Sequence, residues 1–140
     1  MRLETRVVLE GPLFSASAIR QFDGAMRGAV KELVQKGEER LAEQLRPRPS
    51  GVYLTVAEAG RNASTGNYRR NISTTVNDLN GLITDGGVVY GPWLEGISSR
   101  NAASRFKGYA TFRRTGDWLR EKSRSVFQNH VRTWVKRMNA

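Results

Sequence analysis

The sequence predicts an α+β fold: a small antiparallel sheet of three to four strands packed against a long N-terminal helix and a C-terminal helix. Three observations predict it. Apolar residues recur at steps of three and four over residues 19–45, the period of one helical face. Short β-rich runs separated by Gly and Asn signals fill the middle of the chain. A second helical stripe, flanked by cations, closes it. Its 140 residues suit one domain with a modest core.

In order, residues 2–9 (RLETRVVL) roughly alternate and read as a strand, ended by Gly11-Pro12. Ser15 or Ser17 caps a helix running to about Leu45. Its stripe is Ile19, Phe22, Met26, Val30, Leu33, Gly37, Leu41 and Leu45. Gly24, Gly28 and Gly37 interrupt it, each costing up to about 1 kcal/mol against Ala, which points to close packing, a bend or support from neighbours. Arg46-Pro47-Arg48-Pro49 stops the helix and makes a stiff link. Residues 51–56 (GVYLTV) read as a strand and 60–66 as a loop. Residues 68–76 (YRRNISTTV) read as a strand with Ile72, Thr74 and Val76 on one face. Asn80-Gly81 and Gly86-Gly87 are turn signals, the second before a strand or bulge at Val88-Val89-Tyr90. A basic loop covers 96–114, rich in small residues and expected to order on assembly. The last helix spans 116–138, with Leu119, Val126, Phe127, Val131, Trp134, Val135 and Met138 on its apolar side.

Composition narrows the chemistry. The chain has no Cys, which removes disulfides, thiol catalysis and Cys-based zinc sites. Its one His, His130, rules out a two-His metal site within one subunit and reads as a structural or surface residue. The acids near the aromatic segment are Asp78, Asp85, Glu95 and Asp117, and no two are spaced as an acid–base pair. No phosphate loop, nucleophile elbow or metal box is present. The expectation is no enzyme and no cofactor. No run of residues is long and apolar enough for a membrane span, and residues 1–11 lack a signal-peptide core, so a soluble protein made in the cytoplasm is expected.

Charge is unevenly placed. Residues 1–45 carry seven basic and seven acidic side chains; residues 46–140 carry sixteen and six, the whole of the +10 excess. Such a half seeks a polyanion, nucleic acid or an acidic protein face. Within it, residues 90–114 (YGPWLEGISSRNAASRFKGYATFRR) combine aromatics, glycines and cations. Arg100, Arg105, Lys107, Arg113 and Arg114 are the cations; Phe106, Tyr109 and Phe112 either stack on bases or tuck into a core or interface. Their spacing of three and three fits one side of a helical turn. Trp93 and Leu94 anchor the segment after the Gly91-Pro92 turn. Glu95, the one acid in this segment, is expected to pair with Arg100 or Arg105, in its own subunit or the next.

Tyr90-Gly-Pro-Trp-Leu-Glu-Gly96, then Arg100-Asn101, Arg105-Phe106-Lys-Gly108-Tyr109 and Phe112-Arg113, resembles a signature of tail-completion or head–tail connector proteins of actinobacterial siphophages. The motif covers about 25 residues; the order of elements is similar over most of the chain. The resemblance implies a structural virion protein without an active site. It implies a ring of six or twelve copies in the neck, between head-closure or adaptor proteins and the tail terminator or tail tube. The cations of the basic loop are expected either to meet acidic faces of neighbouring neck rings or to line the channel through which genomic DNA leaves. Its assembly residues are Tyr90, Trp93, Leu94, Glu95, Arg100, Arg105, Phe106, Lys107, Tyr109, Phe112 and Arg113. The alternatives are a tail terminator that caps the tube and, from another class, a small basic nucleic-acid-binding protein.

Overall fold

A computed structural model describes residues 15–45 and 67–140. The strands expected at 2–9 and 51–56, the Arg-Pro link and the 60–66 loop lie outside these residues.

Helix α1 spans Ala16–Gln44. Ser15 begins it, its hydroxyl accepting from the Ala18 N–H at 3.1 Å, the cap that a helix start requires. A one-turn helix α2, Asn67–Arg70, leads into strand β1, Ser73–Asn77, which pairs antiparallel with β2, Asn80–Thr84. Three helices follow: α3, Gly91–Glu95; α4, Ser99–Ala103; and α5, Thr111–Met138.

Helices α1 and α5 pack antiparallel, since contacts early in α1 meet late residues of α5. The Trp134 indole N–H donates to the Ala18 carbonyl at 3.1 Å, and its ring lies edge-on to Phe22 at 5.0 Å. Midway, His130 Nε2 lies 2.8 Å from Glu32 Oε2, with the imidazole 3.1 Å from where a Cβ on Gly28 would sit. At the far end, the Arg40 guanidinium lies 4.6 Å from the centre of the Trp118 ring. Ala18, Ala29, Val34 and Leu41 are buried on α1, Leu45 at its C-cap, and Val126 on α5. Ile19 of the expected stripe is 55% exposed, because the seam runs along Ala18 instead.

The hairpin lies against the same helix. Register places Thr74 opposite Ile83 and Val76 opposite Gly81, so these four share a face. That face meets α1: a Cβ on Gly81 would strike the Val34 side chain, and one on Gly37 would strike the tips of Ile83 and Leu119. Gly37 therefore admits strand and helix side chains at one point of α1. Of the three reasons the sequence leaves open for glycines in this helix, close packing applies at Gly28 and Gly37. Gly24 has open space instead. An exposed Arg27–Asp78 ion pair at 2.8 Å ties α1 to the hairpin turn.

Several expectations need correction. Among the described residues the sheet has two strands, and the 51–56 strand expected beside them lies outside those residues. Residues 67–70 are helical, so the expected 68–76 strand begins only at Ser73; the Asn71 side-chain amide donates to the Asn67 carbonyl at 2.8 Å, prolonging that turn. The hairpin loop is Asp78-Leu79, with Asp78 at φ +54°, a value Asp tolerates; Asn80-Gly81 is already strand. Gly86-Gly87 does turn the chain, yet residues 88–90 form no strand. They turn again, the Gly91 N–H bonding the Val88 carbonyl at 2.8 Å, and enter α3. The 96–114 segment is not an open loop: it holds α4, and α5 starts at Thr111 rather than 116. Among the described residues no helix is long and apolar enough to cross a membrane.

Candidate functional site

Residues 90–113 fold into one interlocked unit at the start of α5. Its first part is α3, with Pro92 in the first turn, where a missing N–H costs nothing. The helix ends in a double closure: the Ile97 N–H bonds the Pro92 carbonyl at 2.9 Å and the Gly96 N–H bonds the Trp93 carbonyl at 3.2 Å. Gly96 adopts φ +89°, the left-handed residue that this closure needs.

Gly96 has a second role. Gly108, at φ +87°, lies directly on it: a Cβ on Gly108 would run into the Gly96 backbone, and one on Gly96 into the carbonyl of the preceding Lys107. This contact folds the returning chain against α3, and the Tyr109 N–H bonds the Leu94 carbonyl at 2.6 Å. Two glycines twelve positions apart thus hold two backbones at a distance that no side chain allows.

Asn101 fastens the part between them and is only 4% exposed. Its side-chain oxygen accepts from the Ser98 N–H at 3.0 Å, while the Ser98 hydroxyl accepts from the Arg100 N–H at 3.3 Å. This is a capping box with Asn in place of the usual Glu or Gln. The Asn101 amide nitrogen donates to the carbonyls of Trp93 at 2.9 Å and Phe106 at 3.1 Å. One buried side chain therefore joins α3, α4 and the segment after α4, and a buried amide with its bonds made is costly to lose.

The structure reassigns two of the charged residues. Glu95 does not pair with Arg100 or Arg105. Its carboxylate accepts the Phe112 N–H at 2.7 Å and the Arg113 N–H at 3.3 Å. Ala110, which precedes α5, supplies no capping side chain. A carboxylate borrowed from α3 therefore caps α5, satisfying two open N–H groups and facing the positive end of the helix dipole. Lys107 is not a free cation either: its ammonium donates to the carbonyls of Asn101 and Ser104, each at 3.1 Å, closing the C-terminal end of α4.

The aromatics divide into two groups and do not line one helical side. Phe106 packs between Trp93, at 4.4 Å, and Tyr109, at 5.0 Å. Phe112 turns to Tyr68, 6.4 Å away, which also meets Tyr90 at 6.1 Å. The Tyr90 hydroxyl accepts from the Asn67 amide at 2.8 Å. Burial pushes the Tyr68 phenol well above its usual range, helped by the nearby Asp85 and Glu95 carboxylates.

The unit points outward with Arg100, Arg105 and Arg113, all exposed, and with two bare apolar side chains, Val89 at 96% and Ile97 at 77% exposure. Of the residues singled out from sequence, Trp93, Leu94, Glu95, Phe106, Lys107, Tyr109 and Phe112 build the unit; the side chains of Arg100, Arg105 and Arg113 decorate it, and Tyr90 does both. Sequence reading gave no role to Asn101, Ser98, the Gly96–Gly108 contact, Val89 or Ile97. Ser98-x-x-Asn101 is a legible cap signal; the Tyr68 contact has no local signal at all.

No protein-family profile, no curated protein and no solved structure matches this chain.

Proposed function

We propose that this is a structural virion protein of the head–tail neck of a long-tailed bacteriophage, a tail-completion type subunit that works by closing into a ring. The observation that carries the reading is the build of residues 90–113. A cap, a paired-glycine contact and a buried amide are all spent on making a surface feature rigid. The feature then leaves Val89 and Ile97 bare, with Arg100 and Arg105 exposed on the same stretch of chain. Rigid presentation of exposed apolar and charged residues is what a protein interface uses, and it supports the resemblance of this segment to the neck proteins.

A ring of six or twelve copies needs two different complementary patches on each subunit. The 89–105 surface supplies one. The other is the α1 side, which carries most of the exposed acids among the described residues, Asp23, Glu38, Glu39 and Glu43. The head-closure or adaptor ring and the tail terminator or tail tube are the neighbouring layers. A tail terminator would use the same surface on the end of a tube.

The test is cryo-EM of assembled particles together with native mass of the purified protein. A closed ring with density at the head–tail junction supports the reading. A protein absent from particles and monomeric at every concentration overturns it. A ring only at the end of isolated tails selects the terminator role.

A further inference from the structure

Beyond the neck reading, and independent of it, we propose that the outer face of α5 binds the phosphates of duplex DNA without reading sequence. From Lys122 to the last residue the chain has no Asp or Glu, while Lys122, Arg124, Arg132, Lys136 and Arg137 are all exposed. No ion pair among the described residues engages any of the five. Residues 122–137 span about 22 Å of helix, over which one strand of duplex DNA carries roughly six phosphates. Gln128 and Asn129 lie exposed between the cations and add neutral donors of the kind that contact the backbone. Lys136 and Arg137 also offset the dipole at the helix end; Lys122, Arg124 and Arg132 lie too far back for that.

Two observations select duplex DNA as the occupant. A protein partner would want an apolar centre, and no large hydrophobic residue of α5 is exposed, in contrast to Val89 and Ile97 on the other surface. A single strand would want open aromatic faces. The motif's aromatics already pack on one another, Trp93 on Phe106, Phe106 on Tyr109 and Phe112 on Tyr68, and Trp134 packs on Phe22. What remains is an acid-free stretch of exposed cations spread around the solvent side of α5, which suits a polyanion.

The experiment is fluorescence anisotropy with a 30-base-pair duplex of mixed sequence, a 30-residue oligo-dT and polyglutamate, titrated from 50 to 250 mM salt. About four phosphate contacts give a log–log salt slope near −3.6, a loss of roughly 150-fold in affinity between 50 and 200 mM. Two duplexes of unrelated sequence should bind alike. The triple change Lys122→Gln, Arg124→Gln and Arg132→Gln should flatten the slope by about 2.7, with circular dichroism and melting unchanged because all three side chains are exposed. The proposal is overturned by no duplex binding at 50 mM, by a triple variant that binds as the parent does, or by binding of polyglutamate without duplex, which would mean an acidic protein partner. Salt-insensitive preference for oligo-dT overturns it in favour of stacking. Ring closure is read separately, by native mass of the same triple variant, so that failure of DNA binding and failure of the neck reading are distinguishable.

Discussion

The α1–α5 pair and the 90–113 unit are held together by different means. Along the helix pair, side chains do the work: Ala18, Ala29, Val34 and Leu41 of α1 are buried, and many apolar residues of similar size would fill such a seam. In the 90–113 unit, backbone meets backbone at Gly96 and Gly108, and polar side chains at Glu95, Asn101 and Lys107 bond main-chain groups. There the identity of each residue matters more than its hydrophobicity. The first region sets how stable the protein is; the second sets the shape of one surface.

The largest expected effect is in the first region. Leu41 is wholly buried, and Leu41→Ala should lower global unfolding free energy by about 2–5 kcal/mol in denaturant titration, leaving the 90–113 unit intact in what remains folded. Gly108→Ala should come next. It combines a strained left-handed backbone, about 1–2 kcal/mol, with a clash against Gly96 that only backbone movement relieves. Hydrogen exchange should show the loss of protection centred on 94–112, while α1 changes little. Equal loss of protection in α1 would mean that the unit is not separable.

Glu95→Ala should cost about 1–2 kcal/mol and fray the first turn of α5, read as faster exchange at the Phe112 and Arg113 amides. Glu95→Gln should recover part of the loss, since an amide oxygen still accepts but brings no charge to the helix dipole. If Glu95 instead served an ion pair to Arg100 or Arg105, removing either arginine would mimic Glu95→Ala; no such effect is expected.

The smallest effect belongs to Glu32. Its hydrogen bond from His130, with help from Lys36, holds its carboxyl below the usual range. A lowered carboxylate pKa contributes stability above the unfolded value, about 4.3, and that contribution disappears as pH falls through the lowered value. Thermal melts from pH 6 to pH 3 should therefore show the parent losing its small advantage over Glu32→Gln at the acid end. Because Glu32 is half exposed, the shift in melting temperature should be small.

The comparison also explains what was legible in the sequence. The period of three and four over 19–45 located α1, because an apolar stripe leaves a repeating mark, but of the buried residues it named only Gly37, Leu41 and the capping Leu45, passing over Ala18, Ala29 and Val34. The 90–113 segment was marked out by composition, yet its wiring was not readable. Glu95 reaches the amides of Phe112 and Arg113, and Gly96 meets Gly108; contacts over twelve to eighteen positions leave no local period. A charge count near Glu95 offered Arg100 and Arg105 as partners, but the uncapped start of α5 lay closer to what a carboxylate needs. The Asp78-Leu79 hairpin loop was missed because Asn80-Gly81 carries the stronger turn signal, while register against α1 fixed the loop two residues earlier. Ile19 entered the stripe by spacing and left it because the seam of the helix pair runs along Ala18.

The account turns on the claim that the 90–113 unit is a scaffold whose outward residues serve assembly and not folding. Ile97 tests it most directly: it is 77% exposed, and its backbone N–H, not its side chain, completes the closure of α3. Native mass and a melting curve of Ile97→Asp beside the parent form one paired measurement. The expected result is a six- or twelve-copy ring for the parent and, for the variant, loss of that ring at an unchanged melting temperature. A variant that still closes the ring, or one that unfolds, would contradict it.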